Sequence, residues 1–344
     1  MHIWGDRIPQ LLVTTQGNYH VGVLRDVRNE NSQPQGAIMR PLAIILVTCA
    51  LNLILIQSGA YSDDARSSGK TSRDSIGCAV DENSPLRTED VAFASAFDGS
   101  LQHYVVMFPN GYEESRPHDV LIAFHGHGSD RWQFIRDPRP ECQATRDVAN
   151  KYNMIFVAPD YRAKTSWMGP AAEADTVQII RELKAQYAIG KVFLCGGSMG
   201  GTACLIFATL HPDLIAGVAS MNGTANLLEY GNFQDAISAS YGGSKEEVAE
   251  EYRKRSPELF TEKLSMPVGI TAGGKDDVVP ADSVLRLSNK IKDKGGNVLL
   301  LYRRDGGHET QYSDAFRVVE FAILGVDRKS SEGDKDQEDF PNVR

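Results

Sequence analysis

From residue 120 onward, short uninterrupted apolar runs alternate with segments whose apolar residues follow helical spacing. The apolar runs occupy residues 120–124, 154–158, 192–195, 214–220, 268–272 and 298–302. Strands that are apolar throughout are buried on both faces, which is typical of a parallel sheet covered by helices. Two earlier runs, 91–97 and 101–108, flank a glycine-containing turn and predict an antiparallel hairpin. The pattern predicts an α/β fold: a mostly parallel, twisted sheet with helices on both faces and an antiparallel N-terminal hairpin.

The segments between the apolar runs predict helices that pack on the sheet. Over residues 172–187 the apolar positions recur at helical spacing, and residues 202–210 predict a second such helix. One segment, 224–263, interrupts the alternation with glycines, tyrosines and a charged helix at 245–255. This insertion is either a solvated surface helix or a small lid or substrate-facing loop.

The two ends of the chain differ in composition from this central part. Residues 1–60 form an N-terminal extension, in which the uncharged apolar run 42–56 resembles a secretory signal. This run is shorter than the roughly 20 residues that span a bilayer, and an N-terminal membrane anchor is the alternative. Because a signal normally begins a chain, we hypothesise that Met39 is the physiological start and that the protein is exported, periplasmic or secreted.

The remaining boundaries follow from where apolar periodicity begins and ends. Residues 61–87 are rich in Ser, Asp, Arg and Gly and predict a linker. Residues 88–325 predict the folded domain, and the polar, highly charged residues 326–344 predict a disordered tail.

Charge and cysteine content limit the partners and cofactors. The formal net charge is −9, and repulsion from phosphate disfavours nucleic acid and anionic lipid as partners. Of the five cysteines, Cys49 lies in the apolar run 42–56, and Cys195 and Cys204 are expected to be buried thiols. Cys78 and Cys142 are able to form a disulfide in an oxidising compartment. No Cys-x-x-Cys or His-Glu-x-x-His spacing occurs in the sequence, so we expect neither a metal nor a cofactor.

The most informative motif is Gly-Gly-Ser-Met-Gly at 196–200, because an apolar run precedes it and a helical segment follows it. A serine at such a strand-to-helix turn adopts a strained backbone, and glycines on either side allow the close packing of the two elements. The hydroxyl of Ser198 then stands clear of the sheet, and the positive end of the following helix faces it. The motif predicts a nucleophile elbow.

A serine nucleophile requires an imidazole base and a carboxylate that orients the imidazole. Only His308 lies C-terminal to position 211 among the eight histidines, and it occupies a glycine-containing loop after the last predicted strand. For the carboxylate we favour Asp276, nearest the end of the run 268–272, because Asp277 is better placed to cap the helix that follows. Asp305 is a weaker rival, since it lies in the same loop as His308. The order Ser, Asp, His is that of the α/β-hydrolase arrangement.

A second oxyanion donor is expected after the run 120–124, in the sequence His-Gly-His-Gly at 125–128. We predict that the backbone N–H groups of His127 and Met199 form the oxyanion hole. His125 is expected to support this loop by hydrogen bonding, because two histidines without a carboxylate make a poor metal site. Trp167 is either an aromatic wall of the substrate site or a core residue.

Several motifs together resemble the α/β-hydrolase superfamily over residues 91–325. They are the elbow 196–200, the loop 125–128, Pro159-Asp160-Tyr161-Arg162, Tyr241-Gly242-Gly243, Ser256-Pro257, Asp276 with Val279-Pro280, and His308. They are similar to those of secreted esterases of the feruloyl-esterase and polyhydroxybutyrate-depolymerase type, and to the catalytic domain of prolyl-oligopeptidase-like peptidases.

The resemblance implies Ser198 as nucleophile, Asp276 as acid and His308 as base. Prolyl-oligopeptidase-like enzymes usually carry an upstream propeller, for which the roughly thirty ordered residues expected before Val120 are too few. The expected activity is therefore hydrolysis of small-molecule or polymer-linked carboxylic esters. The alternatives are a peptidase of the prolyl-oligopeptidase type, a noncatalytic binding module, and a lyase or haloperoxidase-like variant of the same fold.

Overall fold

The computed structural model describes residues 86–331. The signal-like run 42–56, the proposed start at Met39, most of the predicted linker and the tail beyond residue 331 lie outside the described residues. Within residues 86–331, no helix is both long enough and apolar enough to cross a membrane.

Eight strands form one sheet. They are β1 (Thr88–Ala94), β2 (Leu101–Met107), β3 (His118–Phe124), β4 (Ile155–Pro159), β5 (Ile189–Gly197), β6 (Gly217–Met221), β7 (Val268–Gly273) and β8 (Val298–Arg303). Their order across the sheet is β1-β2-β4-β3-β5-β6-β7-β8. The hairpin β1–β2 is antiparallel, as is the β2–β4 pair, and every other pair is parallel. Each of the eight predicted apolar runs contributes one strand.

Helices connect the parallel strands and cover both faces of the sheet. They are α1 (Gln133–Arg136), α2 (Pro140–Lys151), α3 (Pro170–Gln186), α4 (Met199–Leu210), α5 (Gln234–Tyr241), α6 (Ala249–Lys254), α7 (Asp282–Asp293) and α8 (Tyr312–Ser331). The buried apolar residues form two clusters. One includes side chains of α3, α4 and α7, and the other includes side chains of α2 and α8. The predicted mostly parallel α/β fold is confirmed. The predicted start of the disordered tail at residue 326 is wrong, because α8 continues to Ser331.

The insertion differs from its prediction in detail. The predicted charged helix at 245–255 is only the short α6, and α5 precedes it without having been predicted. Two short 3₁₀ turns, Pro257–Leu259 and Thr261–Lys263, lead into β7. Helix propensity predicts the ends of a helix poorly where glycines and tertiary contacts determine them, which accounts for the difference in this segment.

Candidate active site

Ser198 lies at the sharp turn between β5 and α4, as the elbow motif predicts. Its backbone has φ +58° and ψ −120°, which is a strained conformation for a residue with a side chain. The backbone N–H of Ser198 donates to the Met221 carbonyl at 2.8 Å, so β6 holds the turn in place. A Cβ at Gly196 would lie 2.6 Å from Gly200, and a Cβ at Gly200 would lie 2.0 Å from the Phe124 carbonyl oxygen. Both glycines are therefore required by the close approach of the elbow to β3.

The structure brings Ser198, His308 and Asp276 into one hydrogen-bonded chain. The Oγ of Ser198 lies 2.9 Å from Nε2 of His308, and Nδ1 of His308 lies 2.7 Å from Oδ2 of Asp276. Asp276 is buried, and its Oδ1 accepts the backbone N–H groups of Val278 and Val279 at 3.0 and 2.8 Å. One carboxylate oxygen thus anchors the acid to its own loop while the other orients the imidazole.

The two rival carboxylates lie elsewhere. Asp277 is exposed, and the expectation that it caps the following helix is wrong: the N-cap of α7 is Ala281, with no side-chain cap. The chain turns through Val278 to Pro280 before the helix begins, which takes the cap position beyond the reach of Asp277. Asp305 forms an exposed ion pair with Lys275 at 2.8 Å. Of the three, Asp276 is the one that contacts His308.

The loop after β3 leaves one backbone donor free beside the elbow. The N–H of Gly126 donates to Oε1 of Gln133 at 2.7 Å, and that of Gly128 donates to the Lys164 carbonyl at 2.9 Å. Between them, the N–H of His127 makes no hydrogen bond within the part of the chain that the structure describes. Met199 is the first residue of α4, where N–H groups have no intrahelical acceptor and the helix dipole is positive. His127 and Met199 are the two residues predicted to form the oxyanion hole.

His125 supports this loop from below. Its Nδ1 lies 2.8 Å from the Gly126 carbonyl and its Nε2 lies 3.0 Å from the Asp160 carbonyl. Burial lowers the pKa of His125, so its imidazole is neutral near pH 7. In residues 86–331 no group of three or more His, Cys, Asp or Glu side chains is arranged to hold a metal ion.

Trp167 does not line the active-site cavity, which corrects the prediction of an aromatic wall there. The side chain is fully buried, and its Nε1–H donates to Nδ1 of His127 at 3.2 Å. Its role is structural, because it supports the His127 ring from behind. Phe134 and Phe233 line the cavity instead, and the ring centroid of Phe233 lies 4.3 Å from that of His127.

A cavity of about 360 Å³ opens beside Ser198 and His308. Phe233 from the insertion and Val278 form part of its lining, which supports the substrate-facing interpretation of segment 224–263. Arg139 and Glu141, between α1 and the first turn of α2, also line the cavity and were not predicted. The sequence could have indicated them only by their position shortly after the oxyanion loop. The four-residue α1 between that loop and Arg139 is too short to show a helical pattern of apolar residues, so the path of the chain here could not be predicted.

Buried ion pairs fix the insertion to the rest of the domain. Arg255 is fully buried and donates to Oε2 of Glu173 in α3 at 2.6 Å. Burial alone would raise the pKa of Glu173, but hydrogen bonds from His211 and Arg255 outweigh it and lower this pKa to about 2. Glu258 likewise pairs with Arg286 of α7 at 2.7 Å, and this hydrogen bond is the main cause that lowers its pKa to about 2.

The three described cysteines, Cys142, Cys195 and Cys204, are free and buried. Burial raises the pKa of Cys142 to about 12, so its thiol is protonated and unreactive at neutral pH. The free thiol does not favour the predicted pairing of Cys142 with Cys78, which lies outside the described residues.

Comparison with known proteins points to serine hydrolases. The sequence model of the prolyl oligopeptidase family matches residues 160–323, just under half of the chain. A search of curated protein sequences finds no significant relative.

Three solved structures illustrate the structural similarity. FphF, a fluorophosphonate-binding serine hydrolase of Staphylococcus aureus, is 17% identical with a TM-score of 0.53, over 71% of this chain and 99% of that one. A ferulic acid esterase is 17% identical with a TM-score of 0.53, over 69% and 98% of the two chains. A puromycin-hydrolyzing peptidase of Mycobacterium tuberculosis is 18% identical with a TM-score of 0.57, over 71% and 39%.

The chain therefore aligns with nearly the whole length of the two smaller proteins, but with well under half of the peptidase. At these identities the similarity establishes the fold.

Proposed function

We propose that this chain, an α/β-hydrolase of the serine hydrolase class, cleaves carboxylic ester bonds through an acyl-enzyme intermediate at Ser198. The observation that carries the proposal is the continuous hydrogen-bonded chain from Ser198 through His308 to Asp276 at a strained elbow. A hydroxyl, an imidazole and a buried carboxylate in this order supply a nucleophile, a base and the group that orients the base.

The first half of the reaction transfers the acyl group to the enzyme. Nε2 of His308 accepts the hydroxyl proton of Ser198 while Oγ attacks the ester carbonyl carbon. The carbonyl oxygen becomes an oxyanion, which the N–H groups of His127 and Met199 stabilise. His308 then gives the proton to the alkoxy oxygen, the C–O bond breaks, and the alcohol leaves.

The second half repeats these steps with water. His308 deprotonates a water molecule, which attacks the acyl-enzyme, and the carboxylic acid leaves as Oγ of Ser198 recovers its proton. Throughout, Asp276 holds the imidazole in the tautomer whose Nε2 faces the serine and stabilises its charged form.

The ester assignment is supported by the near full-length alignment with the ferulic acid esterase and by a cavity suited to a small acyl group. Peptide hydrolysis is the second candidate, because the prolyl oligopeptidase family model matches the part of the chain that carries Ser198, Asp276 and His308. We further propose a small-molecule or polymer-linked ester as the substrate, no cofactor, and export directed by the run 42–56.

Two assays test the proposal. A fluorophosphonate probe should label the wild-type enzyme rapidly, with the modified peptide containing Ser198. The Ser198→Ala variant should lose labelling and lose ester hydrolysis on the order of a million-fold while it stays folded. Ser313→Ala, which removes an exposed serine of α8, is the matched control and should retain both.

A substrate panel separates the two candidates. It contains p-nitrophenyl esters of increasing acyl length, feruloyl and acetyl-sugar esters, and aminoacyl amides. Values of kcat/KM that are higher for the esters support the proposed function. Faster hydrolysis of the amides would assign the enzyme as a peptidase.

A further inference from the structure

One polar side chain in the active-site cavity has a donor that nothing in the reaction scheme uses. Asn222 follows β6 directly, lines the cavity beside Ser198 and His308, and is only 4% exposed. Its Nδ2 is buried and has no hydrogen-bond partner among the described residues. An unpaired buried donor destabilises a fold, so native proteins keep few of them, and a partner supplied by a ligand is one explanation.

The orientation of this amide is fixed from its other end. The hydroxyl of Thr271 donates to Oδ1 of Asn222 at 3.1 Å, and Oγ1 of Thr310 lies 3.0 Å from Oγ1 of Thr271. Because the single proton of Thr271 is already committed to Asn222, the Thr310 hydroxyl must be the donor in the second bond. This chain directs the acceptor Oδ1 toward β7 and leaves the NH₂ group as the free end of Asn222.

The sheet order places Asn222 on a particular side of the nucleophile. β5, which carries Ser198, lies between β3 and β6, so the oxyanion loop and Asn222 lie on opposite sides of the serine. Thr310, at the end of the hydrogen-bonded chain from Asn222, lies two residues after His308. Since His308 delivers the proton to the departing group, this chain of hydrogen bonds assigns Asn222 to the leaving-group side of the site, across the serine from the oxyanion loop.

We propose that Nδ2 of Asn222 donates a hydrogen bond to the leaving-group oxygen and thereby favours esters over amides. This inference rests on the proposed function. An ester oxygen carries two lone pairs, so it accepts the proton from His308 with one and the Asn222 N–H with the other. As the C–O bond breaks, its electron pair moves to that oxygen, and the Asn222 hydrogen bond strengthens while its own N–H bonds stay intact.

An amide leaving group cannot use this donor in the same way. The nitrogen of a tetrahedral intermediate has one lone pair, and His308 must protonate it. A secondary amide presents its remaining N–H to the Asn222 N–H, and two donors that face each other without an acceptor are unfavourable. Asn222 thus determines specificity for an oxygen leaving group over a nitrogen leaving group.

The test removes the donor without straining the backbone. Asn222 has φ +49°, a conformation that Gly and Asp tolerate better than most residues. In Asn222→Gly the donor is absent, and in Asn222→Asp an acceptor replaces it while the bond from Thr271 is kept. Gln311→Glu, an exposed amide-to-carboxylate exchange three residues after His308, is the control for added charge.

Two esters with the same acyl group but different leaving groups show whether the hydrogen bond lost in the variant acts on the leaving group. For Asn222→Gly, kcat/KM for benzyl acetate should fall about 10- to 100-fold, the effect of losing one hydrogen bond to a developing charge. For p-nitrophenyl acetate the loss should be only a few-fold, because nitrophenolate departs with little assistance. Equal losses on the two esters would indicate a merely structural role, and no loss would exclude any role; either result overturns the proposal.

A matched amide, N-benzylacetamide, completes the design. Asn222→Asp should lower the ratio of benzyl acetate to amide hydrolysis at least tenfold, and Gln311→Glu should leave this ratio unchanged. If both variants shift the ratio equally, charge is the cause and the proposal is wrong. Wild-type enzyme that prefers the amide would instead contradict the proposed function, and this outcome is visible before any Asn222 variant is made.

Discussion

Neighbouring residues of identical type have different roles at this site because their surroundings differ. Asp276 is buried, accepts two backbone N–H groups and contacts His308, whereas Asp277 one residue later is exposed. A strand end followed by a tight turn determines which carboxylate faces inward. Residue type alone does not distinguish the two, and only their position relative to β7 does.

The two aspartates give a direct test of this assignment. Asp276→Asn should reduce kcat for ester hydrolysis about ten-thousand-fold, because the amide sets the wrong imidazole tautomer. Asp277→Asn should stay within a few-fold of wild type. Steady-state kinetics on one ester, with circular dichroism to verify folding, measures both. Equal losses, or a larger loss at Asp277, would reverse the assignment.

At the scale of elements, the site depends on how closely β3, β5 and α4 approach one another. The carbonyl of Phe124 at the end of β3 would lie 2.0 Å from a Cβ on Gly200 in the first turn of α4. No side-chain rotation relieves this contact, since it is made by backbone. The same approach brings the oxyanion loop beside the nucleophile, so packing and catalysis share one geometric requirement.

Gly200→Ala should therefore lower the free energy of unfolding by about 1–3 kcal/mol or more, because the added methyl group forces β3 and α4 apart. Activity should fall along with stability, since the oxyanion donors move with the two elements. Gly231→Ala, at a position with nothing within 4 Å of the added Cβ, is the control and should unfold like wild type. Urea titration compares the three proteins. A Gly200→Ala protein as stable as wild type would show that the elements do not need this closeness.

The sequence was sufficient to predict those elements and residues that are determined by short segments of the chain. Every strand and the residues Ser198, Asp276 and His308 could be predicted, because continuous apolar runs and glycine-flanked turns are properties of short segments. Phe233 could not be predicted as a cavity residue, since it reaches the site only through the tertiary position of the insertion. Trp167 was ambiguous for the same reason: a buried tryptophan and a lining one look alike until the packing is known.

At the scale of the whole molecule, the insertion is attached to the domain by charges as well as by apolar contacts. Glu173 of α3 pairs with Arg255 on one side, and Glu258 pairs with Arg286 and Lys290 of α7 on the other. Phe233, which lines the cavity, belongs to the same insertion and precedes both anchors in sequence. The attachment of the insertion to the domain is thus linked to the protonation of two glutamates.

This linkage predicts a specific response to acid. The pKa values of Glu173 and Glu258 are lowered in the folded protein from the ordinary 4.5 to about 2. Their contribution to stability is fully present above pH 4.5 and is lost as the pH falls from 4.5 toward 2, because the unfolded chain binds these protons first. With allowance for solvent screening, we expect the pair to account for about 1–2 kcal/mol of the loss across this window.

Urea unfolding between pH 7 and pH 3 tests this prediction. The double variant Glu173→Gln with Glu258→Gln should be less stable than wild type at pH 7, because Arg255 and Arg286 lose carboxylate partners. Its free energy of unfolding should also fall less steeply below pH 4.5, since two groups no longer titrate. Glu114→Gln, at an exposed position between β2 and β3, should reproduce the wild-type slope. If the free energy of unfolding falls with pH equally steeply in wild type and the double variant, other carboxylates cause the acid sensitivity. The ion pairs of the insertion would then have no part in it.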